Sequence, residues 1–405
     1  MRILHTSDWH LGQHFLGKNR YHEHRAFLTW LVDQVERHRA DAMILAGDVF
    51  DTGTPPSYAR ELYNQFIVEL QRTGAQLVVL GGNHDSVAML NESRELLGCL
   101  NVSVIPGVLA DPERQLLTLY RQNGDPGALL CAVPFIRGRE VLESQAGQSS
   151  QDKQQALQQA IADHYRTLFE LAEHHREQLG ASLPIIATGH LTTVGASSSD
   201  SVREIYIGTL EAFPASAFPP ADYIALGHIH RPQKVAGLEH VRYCGSPLPL
   251  SFDEVGQQKE VLLVEFVAGG LERVTPLPVP VFQPLARLSG CLDELGIAMA
   301  ELAENGSETL PVWLEVTVTG DDYLSDLQPR VEALAEGLAL EILQVRRQRP
   351  QSGNGLAAAG GETLSELTPD EVFERRLARE ALSPERQQAL STLYRGVLAR
   401  LEEQS

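Results

Sequence analysis

The chain has 405 residues, of which 43% are hydrophobic and 21% charged, and its formal net charge is −20. This length exceeds what one hydrophobic core usually serves and predicts one large domain with one or two small ones. No stretch approaches the roughly 20 apolar residues of a membrane-spanning helix, so we expect no membrane insertion. The acidic balance disfavours non-specific nucleic-acid binding, unless basic patches, bound cations or a partner supply positive charge.

The cysteines and the first residues indicate a reducing compartment. Cys99, Cys131, Cys244 and Cys291 are widely scattered and form no Cys-x-x-Cys pair. This spacing favours free thiols over a disulfide framework. The first residues lack the apolar core and cleavage site of a signal peptide and instead resemble a strand. We therefore expect a cytoplasmic protein.

Five short apolar runs each end at side chains that bind metals. In chain order, these side chains are Asp8 and His10, Asp48, Asn83 with His84, His190, and His228 with His230. Short apolar runs are typical of buried strands, and ligands collect at the carboxyl ends of parallel strands. We expect these side chains to meet at one edge of one sheet. Their chemistry suits Mn²⁺, Fe²⁺ or Zn²⁺.

Amphipathic helical stretches alternate with these runs. A stripe of apolar residues between 26 and 35 predicts the first helix, Pro55-Pro56-Ser57 opens a second, and Asp85-Ser86 caps a third. Residues 151–179 form a polar, helical stretch. Further strands are predicted at 101–105, 116–120, 129–133, 241–244 and 261–266, and the last two indicate a second sheet. The alternation predicts an α/β domain over residues 1–275, a β-sandwich flanked by helices.

A proline-rich stretch at 276–284 marks a domain boundary. Residues 280–348 then predict a small α+β cap: extended 282–288, helix 291–304, strand 312–318, helix 325–337 and strand 339–346. Residues 349–364 are rich in Gly, Ala, Gln and Ser, which is typical of a flexible linker.

Residues 365–405 predict a pair of short helices. The candidate docking residues on them are Phe373, Leu390, Leu393, Tyr394, Val397, Leu398 and Leu401. The six from Leu390 onward form one apolar face, which must be buried somewhere. Docking onto the chain's own domain and docking onto a partner helix or coiled coil fit this spacing equally well.

Each metal-ligand motif alone also fits a strand exit or a turn, since Asn, Asp and Gly favour turns. All five in order make a purely structural origin improbable. Asp48 is the natural bridging carboxylate, because one shared anion lowers the repulsion between two cations about 3.5–4 Å apart. His84 directly follows Asn83, so its side chain points elsewhere and is placed to touch substrate. We expect His84 to stabilise the attacked phosphate and protonate the leaving oxygen, with Asp85 orienting the imidazole.

These motifs resemble the calcineurin-like metallophosphoesterase superfamily. The segments that show this resemblance are Asp8-x-His10, Gly47-Asp48-x-x-Asp51, Gly81-Gly82-Asn83-His84-Asp85, Gly189-His190 and Gly227-His228-Ile229-His230. The resemblance implies two Mn²⁺ ions, with Mg²⁺ or other divalent cations as alternatives. It assigns Asp8, His10 and His230 to the first metal, Asn83, His190 and His228 to the second, and Asp48 to both.

The segments 5–12, 47–59 and 225–232 are similar to the bacterial SbcD branch of nuclease subunits. That branch implies 3′→5′ exonuclease and endonuclease activity on DNA ends and hairpins, governed by an SMC-like ATPase that binds the terminal helices. It also implies a homodimer, joined near residues 57–70 and 86–97, within a heterotetramer with the ATPase. Archaeal and eukaryotic relatives carry histidine in place of Asp51, so no role is transferred to that residue.

Candidate DNA contacts come from short basic stretches, two of which flank ligand loops. They are Lys18, Arg20, Arg137, Arg139 and Arg231. Two other functions fit the same core. One is a metallophosphatase acting on a non-DNA phosphoester, which needs neither cap nor terminal helices. The other is a metal-binding scaffold without turnover, which the filled ligand positions and His84 disfavour.

Overall fold

The computed structural model describes residues 1–142, 149–197, 202, 212–267, 269–319 and 326–348, together with Leu377 and Leu390. The strands are β1 Arg2–Thr6, β2 His14–Phe15, β3 Lys18–Asn19, β4 Ala42–Leu45, β5 Gln76–Leu80, β6 Val102–Ile105, β7 Leu116–Tyr120, β8 Pro126–Cys131, β9 Ile185–His190, β10 Tyr223–Gly227, β11 Gln233–Lys234, β12 Val241–Tyr243, β13 Glu260–Val267, β14 Gly270–Pro278, β15 Leu285–Gly290, β16 Val312–Val318 and β17 Leu340–Arg347. The helices are α1 Tyr21–His38, α2 Ser57–Gln71, α3 Val87–Glu92, α4 Arg94–Gly98, α5 Gly138–Val141, α6 Ser150–Leu179, α7 Leu292–Leu302 and α8 Leu327–Leu334.

Two six-stranded sheets form the large domain, with strand orders β14-β13-β1-β4-β5-β6 and β11-β12-β10-β9-β8-β7. In the first sheet β1, β4, β5 and β6 are parallel, and β13 pairs antiparallel with β1. In the second, β12, β10, β9 and β8 are parallel. The parallel strands of each sheet therefore carry their carboxyl ends to a common edge.

Successive side chains along a strand point to opposite faces of the sheet and pack into different hydrophobic cores. In β4, Ala42 and Ile44 join a core between the sheets, whereas Met43 and Leu45 face the cluster under α1 and α2. A third cluster packs α6 against the outer face of the second sheet. Since both faces of the parallel strands are covered, these strands are continuous apolar runs.

Helix α6 shows how local sequence sets the layer order. Ser149 caps its first turn by accepting the Asp152 N–H, and the Asp152 carboxylate accepts the Ser149 N–H in return. The helix ends at Gly180, whose φ of 60° is a left-handed cap. Its buried stripe includes Ile161, Tyr165 and Leu168.

The cap follows the predicted order of elements. Its three strands pair in parallel as β15-β16-β17, and α7 and α8 cover one face through Leu295, Met299 and Val331. Trp313 points to the opposite face, where it packs with Phe15 and Phe252 of the large domain. Residues Met1–Arg347 form one compact unit, so the cap belongs to the same unit as the large domain.

Three expectations about the layout need correction or adjustment. The predicted ligands do not lie at the edge of one sheet, because β9 and β10 belong to the second sheet. The sequence predicts residues 261–266 in a second sheet, but β13 pairs with β1 in the first. Strand β14 reaches Pro278, three residues beyond the expected boundary at 275.

The linker 349–364 lies outside the described residues, as do the candidate docking residues Phe373, Leu393, Tyr394, Val397, Leu398 and Leu401. Leu390 is described as helical and exposed. Within the described part of the chain, no helix combines the length and apolar character needed to cross a membrane.

Candidate metal centre

Each predicted metal ligand lies at or just beyond the carboxyl end of a parallel strand. Asp8 and His10 follow β1, Asp48 follows β4 and Asn83 follows β5, whereas His190 ends β9 and His228 and His230 follow β10. The sandwich brings the two sheet edges together, so residues 222 positions apart in sequence (8 to 230) share one pocket.

Three groups of side chains have ligand atoms within 4.8 Å of one another: Asp8 with His10 and His230, His10 with Asp48 and His84, and Asp48 with His190 and His228. Asn83 joins the last group, because its Oδ1 lies 2.8 Å from His190 Nε2 and 3.2 Å from His228 Nδ1. The structure thus gathers all seven predicted ligands.

Asp48 lies between the two ends of this assembly. Its Oδ2 is 3.6 Å from His10 Nε2 and 3.2 Å from His190 Nε2, and the carboxylate is buried. Burial opposes a charge there, but His190 and His10 outweigh it and hold the pKa of Asp48 well below its ordinary value. An ionised carboxylate between two histidine groups has the geometry of a bridge.

The imidazoles are oriented by partners on their far nitrogens. His10 Nδ1 lies 3.2 Å from Asp51 Oδ1, and His190 Nδ1 lies 2.9 Å from the Ala46 carbonyl oxygen. An acceptor at Nδ1 keeps one proton there, so Nε2 is the nitrogen that can give up a proton and bind a cation in the pocket. The sequence assigns no role to Asp51, and the structure gives it this contact.

The backbone at the site is strained. Asp8, His10, Asp48 and His228 have φ values of 54°, 47°, 52° and 93°, in the left-handed region that L-residues rarely adopt. Such strain persists where the surroundings over-determine it, and it clusters at functional sites. The tight packing extends to Gly82, where an added Cβ would lie 2.1 Å from Asp48 Oδ1.

Divalent cations fit these residues. In an octahedral site, two neighbouring ligand atoms each lie about 2.1 Å from the ion, and they are therefore about 3 Å from each other. The observed separations are similar: His190 Nε2 lies 2.8 Å from Asn83 Oδ1 and 3.2 Å from Asp48 Oδ2. Among the described residues, His10 Nε2, which faces Asp48, is a buried atom without a hydrogen-bond partner. Such atoms are costly unless something binds them, and a cation would do so.

His84 lies beside the ligands and is held from two directions. Its backbone N–H donates to Asp48 Oδ1 at 2.9 Å, and its Nδ1 lies 2.7 Å from the Asp51 carbonyl oxygen. A carbonyl oxygen only accepts, so Nδ1 carries the proton and Nε2 is the nitrogen that gains or gives one. The ring is half-buried and meets His10 edge-on, with 4.7 Å between centroids.

Asp85 is predicted to orient this imidazole, but its carboxylate is engaged elsewhere. It accepts backbone N–H groups from Gly82, Val49 and Phe50 at 2.9–3.1 Å, which ties the loop after β4 to the loop after β5. Burial and the nearby Asp48 raise the pKa of Asp85 to about 6. The contact on His84 comes from the Asp51 carbonyl instead.

The candidate DNA contacts divide into three kinds. Arg20 needs correction: it is 1% exposed and binds both carboxylate oxygens of Glu23, so its guanidinium is not offered to a phosphate. Arg137 donates to the carbonyl oxygens of Gly82 and Asp85, and Lys18 forms an ion pair with Glu341 of the cap. Arg139 and Arg231 are exposed.

Comparison with known families agrees with this geometry. Residues 1–232 match the model of the calcineurin-like phosphoesterases, and residues 281–381 match a model described as the type 5 capsule protein repressor C-terminal domain. The first match covers more than half of the chain, so the chain belongs to the calcineurin-like phosphoesterase family, a family of metal-dependent hydrolases. The predicted fold class is confirmed.

Particular relatives narrow this class. The chain is 56% identical to the SbcD subunit of the nuclease SbcCD from Escherichia coli K12, over 97% of each chain. It is 33% identical to the SbcD subunit from Rhodobacter capsulatus, and the match covers 92% of this chain and 93% of the relative. It is 30% identical to the SbcD subunit from Bacillus subtilis, and that match covers 86% of this chain and 84% of the relative. The resemblance to the SbcD branch is confirmed.

Proposed function

We propose that this chain is the nuclease subunit of an SbcC–SbcD-type complex in the cytoplasm. It cleaves phosphodiester bonds at DNA ends and hairpins, as a 3′→5′ exonuclease on duplex DNA and as an endonuclease, with two Mn²⁺ ions. The observation that carries the proposal is the gathering of six ligand groups, five of them buried, around one ionised carboxylate, Asp48. The names of the relatives support the substrate.

Bound divalent cations would supply an activated water and neutralise charge on the phosphate. The residues themselves fix where this happens. Asp48, placed between His10 and His190, sets the separation of the two sites, while Asp51 and the Ala46 carbonyl keep Nε2 of both imidazoles turned inward.

His84 handles the proton of the leaving oxygen. Since Nδ1 is committed to the Asp51 carbonyl, Nε2 of the protonated ring is the donor when the P–O bond breaks. The backbone bond from residue 84 to Asp48 ties the position of this donor to the bridging carboxylate. Asp85 supports the reaction indirectly, by joining the two loops that carry Asp48 and His84.

Arg139 and Arg231 are the candidate phosphate contacts, and Arg231 directly follows the predicted ligand His230. Replacing either arginine with glutamine should weaken DNA binding and lower its salt dependence, because each phosphate contact releases a counterion. Arg20→Gln should instead lower stability. An unchanged salt slope for both surface variants would remove them from the DNA contact.

Two assembly contacts complete the proposal. The homodimer forms through α2–α4, where Val68 and Leu96 are 50% and 67% exposed. Side chains of α2 and α3, among them Arg60, Tyr63 and Met89, also line a cavity of about 420 Å³. Light scattering tests the homodimer: Leu96→Glu should yield monomers. The predicted helix pair at residues 365–405 binds the ATPase, so truncation after Arg349 should weaken that binding and leave the metal centre intact.

The decisive assay measures cleavage of blunt and hairpin DNA with Mn²⁺, with and without the ATPase partner. Cleavage that needs Mn²⁺ and responds to ATP in the complex supports the proposal. Hydrolysis of a cyclic nucleotide or phosphopeptide without any DNA cleavage would favour the non-DNA phosphoesterase. Metal uptake with no turnover on any of these substrates would favour the scaffold.

A further inference from the structure

A buried ion pair lies behind the predicted ligand His230. Glu254 is fully buried, and Lys259 is 4% exposed. Lys259 Nζ lies 2.6 Å from Glu254 Oε2, which also accepts the Leu250 N–H at 3.0 Å. A buried pair of this kind is weak support for stability, since apolar residues of similar volume often serve equally well. Its contacts suggest another role.

The pair holds His230 from two sides. Glu254 Oε1 lies 3.3 Å from His230 Nδ1, and Lys259 Nζ donates to the His230 carbonyl oxygen at 3.0 Å. The Lys259 ammonium, 2.6 Å from Oε2, pairs with Glu254 as an ionised carboxylate. An ionised carboxylate only accepts, so it keeps the proton on Nδ1 and leaves Nε2 for the group with Asp8 and His10.

An aromatic stack connects this pair to the cap. Glu254 ends a short 3₁₀ turn that begins at Phe252. Phe252 meets Phe15 edge-on at 5.0 Å between centroids, and Phe15 stacks on Trp313 of β16 at 5.7 Å. All three rings are at least 92% buried. A displaced cap strand would therefore open a cavity directly beside the turn that carries Glu254.

We propose that Glu254 is the positioning residue of His230, and that the cap holds it in place through Trp313, Phe15 and Phe252. The first metal site, with Asp8, His10 and His230, is then complete only when the cap is docked. The second site, with Asn83, His190 and His228, lacks this dependence. The proposal rests on the proposed two-metal function and makes one of the two metals sensitive to the cap.

Manganese binding to the metal-free, full-length chain tests the pair, by calorimetry and by electron paramagnetic resonance. Glu254→Gln should weaken one of the two sites by about 10- to 100-fold, the usual effect of losing the partner of a ligand, and leave the other unchanged. The control is Glu265→Gln. Glu265 lies on β13, is 8% exposed, and forms ion pairs with Arg2 and Arg273, so the variant also removes a buried, paired carboxylate. Equal weakening of both sites, or of neither, would overturn the assignment.

Two further measurements separate positioning from general destabilisation. The double variant Glu254→Gln/Lys259→Met leaves no unpaired charge behind, so it should fold and still lose affinity at the one site. In the metal-free protein, ¹⁵N imidazole shifts should report a proton on Nδ1 of His230 that becomes mobile between the nitrogens in Glu254→Gln. A fixed Nδ1 proton in that variant would refute the role of Glu254.

Two tryptophan variants test whether the cap holds Glu254 in place. Trp313→Ala should weaken the same single site, whereas Trp30→Ala, which opens space on α1, should lower stability without changing manganese affinity. Normal binding in Trp313→Ala would refute the dependence on the cap. If the unaltered chain bound no manganese, the proposed function itself would fail; two normal sites in every variant would refute only the coupling.

Discussion

Replacing His84 with alanine should abolish DNA cleavage while sparing both stability and metal binding. The ring is half-buried and supplies no atom to the groups that gather around His190 and His230. The backbone N–H of residue 84 keeps its bond to Asp48 Oδ1 in the variant. The change should therefore remove the proposed proton donor and leave the predicted metal ligands in place.

The two expected magnitudes differ enough to be separated. The main bond lost is Nδ1 to the Asp51 carbonyl, at 2.7 Å, and a bond of this kind contributes about 1 kcal/mol to folding. A general acid contributes about 10²–10⁴-fold to rate, or about 3–5 kcal/mol of activation free energy. A loss of cleavage beyond 100-fold with nearly unchanged melting temperature therefore identifies a chemical role.

Single-turnover cleavage of end-labelled duplex DNA, at saturating Mn²⁺, gives the rate of the chemical step. A second substrate isolates the proton: the nitrophenolate released from bis(p-nitrophenyl) phosphate leaves without protonation, so His84→Ala should lose much less rate on it. His22→Ala serves as the control. An equal loss of rate on both substrates would refute protonation of the leaving group by His84. A loss of manganese binding in His84→Ala would instead indicate that His84 is a metal ligand.

Three further predictions concern the ligands. Asp48→Asn should lower manganese affinity at both sites in calorimetry; loss at one site alone contradicts a bridge. Gly82→Ala should do the same and lower the melting temperature, because the new Cβ would lie 2.1 Å from Asp48 Oδ1, whereas Gly98→Ala meets nothing within 4 Å and is the control. Burial lowers the pKa of His190, but the Asp48 carboxylate outweighs it and raises that pKa to about 9 from the ordinary 6.5. Since metal binding must displace this proton, manganese affinity should rise with pH up to about 9 by as much as about tenfold per unit and then level off; a flat profile between pH 6.5 and 9 refutes the raised pKa.

The sequence by itself determined the candidate metal ligands and the elements that carry them. An apolar run that ends in Gly-Asp or Gly-His is a local pattern, since strand burial and ligand position at a strand end both follow from neighbouring residues. The cap is similar: the alternation in 312–318 and the helical spacing around it predicted β16, α7 and α8 within a few residues. The resemblance then supplied the role of each ligand.

Only the tertiary structure decided which strands share a sheet and which partners stand behind the ligands. The pairing of β13 with β1 joins residues more than 250 positions apart, and no local pattern encodes it. The same holds for Arg20, which local sequence marks as a surface cation but which Glu23 and the Pro249 carbonyl bury. Glu254 and Lys259 carry no spacing signal relative to His230, because their contact depends on the fold of the intervening chain. Local chemistry fixes what a residue can bind, whereas long-range packing fixes what it meets.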